Sequence, residues 1–538
     1  MQYYSEYLND LNDSKIGIYK YIENVSYIET EKDTYLCIEN NRAIHNDSVY
    51  YKNNNIISID KRNIDPIVGI LYIDSKIKYG TYNDKLLYLF KPTNKCYPHF
   101  YIPYKIKNSK NKLFCSIIFK EWKTTDKLPI GTLIDVIGDI GNKDAEIEHL
   151  RAYYEIKNNI WKIDNDKKKN DINMINQLEN NCEDYKVFSI DPIGSKDIDD
   201  AFHFKYIDEN NYEIGIHIAS PMKFFENNLY EILNRVSTVY LPDKKYNMLP
   251  NIYADEIISL IENKKRFAIS VIFKIENHNI INYDIKETIV LNIKNYDYDT
   301  FDKIYMKDKN LIDFVQSTKS FFQLDEINSH KLVEVWMIYT NKCIAKHLIE
   351  NNYSNIILRT HQIKEKDEEI NNDESLNHYL NIKNENAALY KIYEKDNSEQ
   401  YHEKLGNEYY THFTSPIRRS IDFYIHMLLF HKIHNMEYNN LKEMVCKINI
   451  FTKKTRKFDR MIRRLHFLYE IKELEKNIET YAYVINITKN KLTLYIPEYN
   501  LEEKVVFKEY RLYEKIKIKL WVFTSFENIF DKLKIEIL

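Results

Sequence analysis

Two kinds of hydrophobic pattern alternate along this sequence, and together they limit the folds that it can adopt. Residues 1–160 and 473–538 contain short stretches in which apolar and polar side chains alternate, such as SVYYK, IVGILYI and KLTLYIPEY. Asn, Asp, Gly and Pro separate these stretches, as is typical of short strands in small β-barrels. Beyond Leu332, apolar residues recur every three or four positions, as in LVEVWMIYTNKCIAKHLIE, and this spacing predicts helices. We therefore expect an α+β chain of several domains.

The changes of pattern divide the 538 residues into five segments. We expect a first barrel over residues 1–62 and a second over 63–160. The polar residues 161–183 are expected to form a solvated linker, with a surface helix as the alternative. A central mixed α/β domain over 184–472 and a final barrel over 473–538 complete the chain. Within the central domain, KVFSIDP, DAFHFKYI and YEIGIHI predict strands, whereas residues 417–431 and 441–472 predict long helices. The charged, Asn-rich residues 364–386 predict a surface insertion.

Composition excludes several classes of protein. Hydrophobic residues make up 44% of the chain and aromatic residues 14%, which argues against global disorder. The six cysteines form no CxxC pair, so neither a zinc site nor a disulfide framework is predicted.

No apolar run approaches the roughly 18 residues that a membrane-spanning helix needs, and the polar N-terminus is unlike a targeting peptide. We expect a cytoplasmic protein that does not contact membranes. The net charge of −3 gives no indication of nucleic acid, so RNA binding has to be argued from local features.

One segment, SIDPIGSKDIDDAFHF, places four carboxylates within ten residues, between two predicted strands: Asp191, Asp197, Asp199 and Asp200. Like charges so close together raise each other's pKa, so the cluster is costly unless cations compensate. Mg²⁺ prefers carboxylate oxygens, and a metal site is one interpretation. An ordinary acidic turn is the other, and taken alone it is the commoner case. A calcium-binding EF-hand loop is disfavoured, because its alternating ligands and central glycine are missing.

Five further motifs follow the acidic cluster in a fixed order. The full set is DPIGSKDIDDA, IHIA, VSTVYLPDKKYNMLP, LVEVWMIYTN, LRTH and YTHFTSPIRR, at residues 191–201, 216–219, 236–250, 332–341, 358–361 and 410–419. Together these motifs resemble the signature of the ribonuclease II / R (RNB) family, which includes the exosome-associated nuclease of eukaryotes. Six collinear motifs favour a functional site over an acidic turn.

The resemblance implies that the central domain is an RNB catalytic domain. It further implies a hydrolytic 3′→5′ exoribonuclease that degrades single-stranded RNA to nucleoside 5′-monophosphates. Catalysis in this family is expected to depend on two Mg²⁺ ions, for which Mn²⁺ can substitute. The expected partner is the 3′ end of single-stranded RNA, and we expect a monomer. No nucleotide cofactor is predicted, because both the G-x-x-x-x-G-K-[ST] and G-x-G-x-x-G motifs are absent. The alternative is a catalytically inactive RNA-binding protein with the same fold, but its usual mark, loss of the aspartates, is not seen.

The resemblance also assigns roles to individual acidic residues. Asp191, Asp197 and Asp200 are the expected Mg²⁺ ligands, bound directly or through water. Asp199 is the position whose loss is expected to damage the chemistry while leaving RNA binding largely intact.

Two arginines of the last motif complete the expected catalytic set. Arg418 and Arg419 follow Pro416, which suits the first turn of a helix. A guanidinium group can grip phosphate in a bidentate manner and stabilise developing charge. We assign this role to Arg418 and a supporting role to Arg419. Asp422, four residues after Arg418, is a possible ion-pair partner for it on the helix surface.

Tyr240 occupies the position at which family members clamp the last nucleotides with an aromatic ring. Base–aromatic stacking is worth ~1–3 kcal/mol and tolerates any base. The other residues assigned to RNA binding lie within the same motifs: His217, Arg359, His361 and His412. For His217 and His412, a role in the fold is the alternative to a place on the RNA path, and neither is expected to bind Mg²⁺. Ser220 and Ser420 depart from the family pattern, which usually has aspartate and tyrosine there.

The flanking segments carry shorter resemblances. NRAIHNDSV, at residues 41–49, resembles a turn of the first cold-shock domain of this family, and the segment GTLIDVIGDIGNKDAEIE resembles part of the second. KLTLYIPEYNLEEKVVF resembles the final OB-type barrel. Such barrels bind single-stranded nucleic acid. The basic residues 453–464 either bind phosphates along the RNA backbone or form a solvated helix surface. Because the pattern of the first barrel begins near residue 1, we expect no N-terminal endonuclease domain and therefore exonuclease activity alone.

Overall fold

The structure is a computed structural model, and two compact units make up the chain: Met1–Ile156 with Lys457–Leu538, and Lys157–Arg456. It describes residues 14–106, 111–157, 161–178, 185–208, 211–277, 279–363, 373–384, 386–395, 397–406, 408–433, 437–474, 477–506, 509–522 and 532–538. None of the helices within these ranges is long and apolar enough to cross a membrane.

The first unit begins with an antiparallel sheet in the order β3-β2-β1-β4-β5. Its strands are β1 (Lys15–Ile22), β2 (Val25–Glu29), β3 (Thr34–Leu36), β4 (Ser48–Lys52) and β5 (Asn55–Lys61). Asn53 and Asn54 connect β4 to β5 with φ values of 50° and 64°, the left-handed backbone that tight hairpin turns require and Asn tolerates. Val49 and Ile28 are among the buried residues of this sheet's core.

A second, six-stranded sheet follows in the order β6-β10-β11-β9-β8-β7, and β6 also pairs with β8. Its strands are β6 (Ile67–Leu71), β7 (Thr81–Tyr82), β8 (Lys85–Pro92), β9 (Phe100–Tyr104), β10 (Leu113–Glu121) and β11 (Ile130–Asp139). Helix α1 (Lys143–Tyr153) comes next and is capped by Asn142, whose side chain accepts a hydrogen bond from the Ala145 amide. Phe90 and Phe100 pack edge to face in the core of the sheet.

The second unit is built around a closed barrel in the order β12-β13-β14-β17-β18. The barrel strands are β12 (Val187–Asp191), β13 (Asp200–Tyr206), β14 (Asn211–Ala219), β17 (Lys264–Glu276) and β18 (Asn279–Asp297). The short strands β15 (Val239–Tyr240) and β16 (Lys245–Tyr246) form a hairpin, and β19 (Ile357–Thr360) pairs with β20 (Leu389–Ile392). Strand β14 is buried along almost its whole length, so both of its faces contact other parts of the unit.

Helices cover this barrel. They are α2 (Asn165–Asn176), α3 (Met222–Phe225), α4 (Leu229–Arg235), α5 (Tyr298–Ile304), α6 (Lys309–Phe321), α7 (Ser329–Glu350), α8 (Glu374–Asn384), α9 (Ser420–Leu429) and α10 (Tyr438–Leu474), with a π-helical turn at Tyr253–Ile257. Asp308 and Asn328 cap α6 and α7 with their side chains, as expected of helix N-termini. All ten residues of α9 are buried. Helix α10 contributes its first part to this unit and its last part to the other.

The C-terminal part of the first unit is a five-stranded sheet in the order β23-β22-β21-β24-β25. Its strands are β21 (Ile478–Ile487), β22 (Lys491–Ile496), β23 (Leu501–Val506), β24 (Lys515–Val522) and β25 (Leu533–Ile537). The predicted α+β class, with strand-rich ends and a mixed centre, is confirmed.

Two sequence-based expectations need correction. The predicted linker, residues 161–183, contains helix α2, and the indole of Trp161 donates a hydrogen bond to the Met248 carbonyl at 3.0 Å. Ile175 is buried in the core of the second unit, so the described part of this segment is not a solvated connector. The helix predicted at 417–431 begins only at Ser420, after both arginines. Residues 364–372 and 385 of the predicted insertion lie outside the described residues, and the intervening residues include α8.

Candidate active site

The four acidic residues lie at or between the ends of two neighbouring barrel strands. Asp191 is the last residue of β12 and Asp200 the first residue of β13, and these neighbouring strands are antiparallel. The connection between them reverses direction at Gly194, whose φ of 78° lies in the left-handed region. This backbone conformation favours glycine, which has no Cβ atom to clash with its own backbone.

Asp199 is held by the motif that contains the paired arginines. Only 3% of its surface is exposed, its Oδ1 accepts a hydrogen bond from the Ile417 amide at 2.9 Å, and its Oδ2 accepts one from Arg418 Nε at 3.0 Å. Burial raises the pKa of Asp199 to about 7, although Arg418 acts in the opposite direction. The carboxylate therefore orients Arg418, and Arg418 offsets its charge.

Asp191 and Asp200 are in a different situation. The Oδ2 atom of each is buried, and neither has a hydrogen-bond partner in the structure. Burial raises the pKa of Asp191 to about 6, and the negative charge of Asp197 raises it further. Burial also raises the pKa of Asp200 well above its usual range, and the charges of Asp191 and Asp199 add to this rise. Two buried, unpartnered carboxylate oxygens fit a hard cation such as Mg²⁺.

The carboxylates are not closely gathered around one point. Within the described ranges, no group of three or more His, Cys, Asp or Glu side chains has the arrangement of a metal site. The assignment of Mg²⁺ to Asp191, Asp197 and Asp200 therefore stays a prediction, supported by the chemistry of the donor atoms.

Asp197 is bound by two side chains of the β15–β16 hairpin. The Tyr240 hydroxyl donates to its Oδ2 at 2.5 Å, and Lys245 Nζ donates to its Oδ1 at 2.7 Å. Lys245 also binds Asp255 Oδ1 at 2.8 Å. Sequence analysis missed Lys245 and Asp255, although Lys245 lies inside the quoted motif VYLPDKKYNMLP. The ring of Tyr240 remains 46% exposed, as stacking on a nucleotide requires.

The two arginines have separate surroundings. Arg418 donates from Nη2 to Ser415 Oγ at 2.9 Å, and 42% of its side chain is exposed. Arg419 pairs instead with the fully buried Asp422, from Nη2 to Oδ1 at 2.8 Å. The predicted pairing of Asp422 with Arg418 is therefore wrong, and the arginines do not begin the helix. The reason is a tertiary contact, because the extended backbone of Arg419 bridges to Ser237.

Of the two roles expected for His217, the structure supports the role in the fold and contradicts direct contact with RNA. Its ring has no exposed surface and is hydrogen bonded to His203 at 2.8 Å and to Ser270 Oγ at 2.6 Å. A Cβ atom on Gly215 would lie 2.1 Å from the His203 ring, so the position of His203 requires glycine there. His217 is a core histidine because β14 is buried on both faces.

Two other predicted RNA-binding residues, Arg359 and His412, contact Tyr390. The guanidinium of Arg359 lies 4.4 Å from the Tyr390 ring centre, and the Tyr390 hydroxyl is 2.7 Å from Nδ1 of His412. His361 stacks on His402 with ring centres 5.2 Å apart. Arg359 and His361 are largely buried, so their assignment to RNA binding stays a prediction.

Ser220 and Ser420, the two departures from the family pattern, are both buried. A direct contact of either side chain with RNA is therefore not indicated.

Comparisons with known proteins agree with this architecture. Residues 179–328 and 308–435 match the model described as RNB domain, and residues 87–155 match the Dis3-like cold-shock domain 2. The Exosome complex exonuclease RRP44 of Mus musculus is 25% identical over 589 residues. That alignment covers 90% of this chain and 59% of the relative, so the chain spans well under two thirds of the mouse protein.

Solved structures show the same fold. The apo form of Mycoplasma genitalium RNase R is 17% identical, with a TM-score of 0.75, 97% of this chain covered and 100% of the other. The same enzyme in complex with ribose-methylated single-stranded RNA is 16% identical, with a TM-score of 0.74 and the same coverage. Yeast Ssd1, described as a pseudonuclease, is 16% identical, with a TM-score of 0.65, covering 97% of this chain and 83% of the other. The mixed α/β architecture with OB-type barrels is thus confirmed.

Proposed function

The chain belongs to the ribonuclease II / R (RNB) family, and from this premise we propose that it is a hydrolytic 3′→5′ exoribonuclease that releases nucleoside 5′-monophosphates from single-stranded RNA. The observation that carries the proposal is the intact acidic cluster facing Arg418. Asp199 holds Arg418 by a 3.0 Å hydrogen bond, while buried oxygens of Asp191 and Asp200 lack a partner.

The divalent ions would be held by Asp191, Asp197 and Asp200. When bound, Mg²⁺ supplies an activated water and stabilises charge on the leaving 3′-oxygen. We propose that two ions act, with Mn²⁺ able to replace Mg²⁺.

The protein's own side chains bind and orient the RNA. Arg418 presents an oriented guanidinium group to the scissile phosphate, because Asp199 and Ser415 fix its position through two hydrogen bonds. A charged donor placed in this way stabilises the negative charge that develops during cleavage. Tyr240 offers its ring to the terminal bases without selecting among them. Arg419 holds Asp422 and so supports the segment that carries Arg418.

A second candidate is an inactive RNA-binding protein with the same fold, which the likeness to yeast Ssd1 favours. The presence of all four aspartates argues for the active form. The cytoplasmic location, the monomeric state and the lack of a nucleotide cofactor stay predictions.

The proposed activity is tested with 5′-labelled single-stranded RNA in Mg²⁺. The wild-type chain should shorten the RNA progressively, whereas EDTA or the Asp199→Asn substitution should stop the shortening. RNA left intact by the wild type would refute catalysis, and so would equal shortening in the EDTA reaction.

A further inference from the structure

A lysine already occupies the side of Asp197 that faces the β15–β16 hairpin. Lys245 Nζ lies 2.7 Å from Asp197 Oδ1 and 2.8 Å from Asp255 Oδ1, so one ammonium group bridges two carboxylates. The side chains of Lys245, Asp197 and Asp255 are 23%, 9% and 21% exposed. Limited exposure means that water screens these charges only in part.

The four clustered aspartates therefore differ in how their charge is balanced. Asp199 has Arg418, and Asp197 has Lys245, whereas Asp191 and Asp200 each keep a buried oxygen without a hydrogen-bond partner. Two of the four carboxylates thus have a basic side chain as a direct partner. The other two each keep a buried oxygen that could bind a cation from solution.

Asp255 determines how much of the lysine's charge acts on Asp197. It lies in the π-helical turn Tyr253–Ile257, outside the acidic segment, and its carboxylate competes with Asp197 for the same ammonium group. Neutralising Asp255 would leave Lys245 bound to Asp197 alone.

We propose that Lys245 is a positioning residue that serves as a built-in counter-ion of Asp197 and, together with Asp255, sets how tightly the site binds divalent cations. This inference rests on the proposed function, because it assumes that Asp197 belongs to the metal-binding cluster. The lysine orients Asp197, and its positive charge opposes an incoming cation. Because Asp255 also binds the ammonium group of Lys245, it reduces the repulsion between Lys245 and an incoming cation.

The proposal fixes the sign of the effect for each substitution. Lys245→Met removes a positive charge beside the site, and Mn²⁺ should bind more tightly, on the order of tenfold, for charges a few ångströms apart in a partly screened site. Lys245→Arg keeps the charge, and its affinity should stay within about twofold of wild type. Asp255→Asn should weaken Mn²⁺ binding.

A double substitution tests the coupling between the two residues. In the Lys245→Met background, Asp255→Asn should change Mn²⁺ affinity much less than it does in the wild type, because its main effect passes through the lysine. Equal effects of Asp255→Asn in both backgrounds would show that Asp255 does not act through Lys245.

The measurement is Mn²⁺ binding to the full chain without RNA, followed by electron paramagnetic resonance at constant pH and ionic strength. Thermal melting verifies that each variant is folded, and Lys245→Gln replaces Lys245→Met if the latter does not fold. Tighter binding in the neutral variant with near wild-type binding in Lys245→Arg supports the proposal. Unchanged, weaker or undetectable binding in the neutral variant overturns it.

RNA degradation is assayed separately on the same proteins. If Mn²⁺ affinity changes as expected but the wild type leaves RNA intact, the proposed nuclease activity fails and the counter-ion role stands. If RNA is degraded but Lys245→Met does not tighten Mn²⁺ binding, only the counter-ion role fails.

Discussion

Arg418 and Asp199 are 219 positions apart in the sequence and are joined by a hydrogen bond of 3.0 Å from Nε to Oδ2. Burial and the opposing carboxylate have contrary effects on the pKa of Arg418, and the net effect is a rise, so the guanidinium is charged at every physiological pH. This pair connects the acidic segment to the arginine motif and is the basis for the first prediction.

Arg418→Ala should lower the single-turnover rate of RNA degradation by roughly 10²-fold or more, the usual cost of removing one donor that stabilises transition-state charge. The rate at saturating enzyme is the quantity to measure. Lys346→Ala is a suitable control, because Lys346 is an exposed cation that pairs with Glu350 one helical turn away on α7 and has no role in the proposed chemistry. An Arg418→Ala rate similar to that of the control would contradict the assignment.

Arg419→Ala should act mainly on stability. Its partner Asp422 is fully buried and would lose the guanidinium that pairs with it. Breaking a buried pair by removing one partner costs about 3–5 kcal/mol in free energy of unfolding. Urea unfolding monitored by circular dichroism measures this loss, and an unchanged unfolding midpoint would show that Arg419 does not have the supporting role.

Tyr240 should contribute to RNA binding through its ring. In the Asp199→Asn background, Tyr240→Ala should weaken binding of a short single-stranded RNA by about 1–3 kcal/mol, whereas Tyr240→Phe should keep most of the affinity because it keeps the stacking surface. Fluorescence anisotropy in EDTA compares the two variants. Equal losses in both would mean that the hydroxyl, rather than the ring, contacts the RNA.

His426 should make stability depend on pH. It is fully buried, and if its Nε2 carries the proton it donates to the Phe413 carbonyl at 2.9 Å; burial lowers its pKa to about 3. In the unfolded chain its pKa is near 6.5, so below that pH the unfolded state takes up a proton that the folded state refuses. The free energy of unfolding should therefore fall as pH drops from about 6.5 towards 3, by roughly 1.4 kcal/mol per unit from this group.

His426→Gln provides the comparison for this pH effect, because an amide can donate to the same carbonyl. Chemical denaturation at a series of pH values should show a shallower decline below pH 6.5 in the variant than in the wild type. Parallel pH profiles would exclude His426 as the source.

The local parts of the site could be predicted from sequence. Asp191 and Asp200 lie at the ends of two strands with a glycine turn between them, and a short segment contains all the information needed for that arrangement. Tyr240, by contrast, is singled out only by the family resemblance of its motif.

Tertiary contacts decided the remaining features. The burial of His217 follows from the closed barrel, in which β14 is covered on both faces, and strand alternation then no longer distinguishes inside from outside. The start of α9 depends on the pairing of Arg419 with Ser237, and the Lys245–Asp255 pair depends on how a hairpin meets a π-helical turn. No local pattern encodes these contacts.

The central claim is hydrolysis from the 3′ end, and the most direct test follows both ends of the same RNA. One preparation carries its label in the 3′-terminal phosphodiester, and a matched preparation carries it at the 5′ end. We predict that, in Mg²⁺, the 3′ label is released first as nucleoside 5′-monophosphate while the 5′ label remains in gradually shorter RNA. Release of the 5′ label first, large internal fragments, or release of the 3′ label in EDTA would contradict the account.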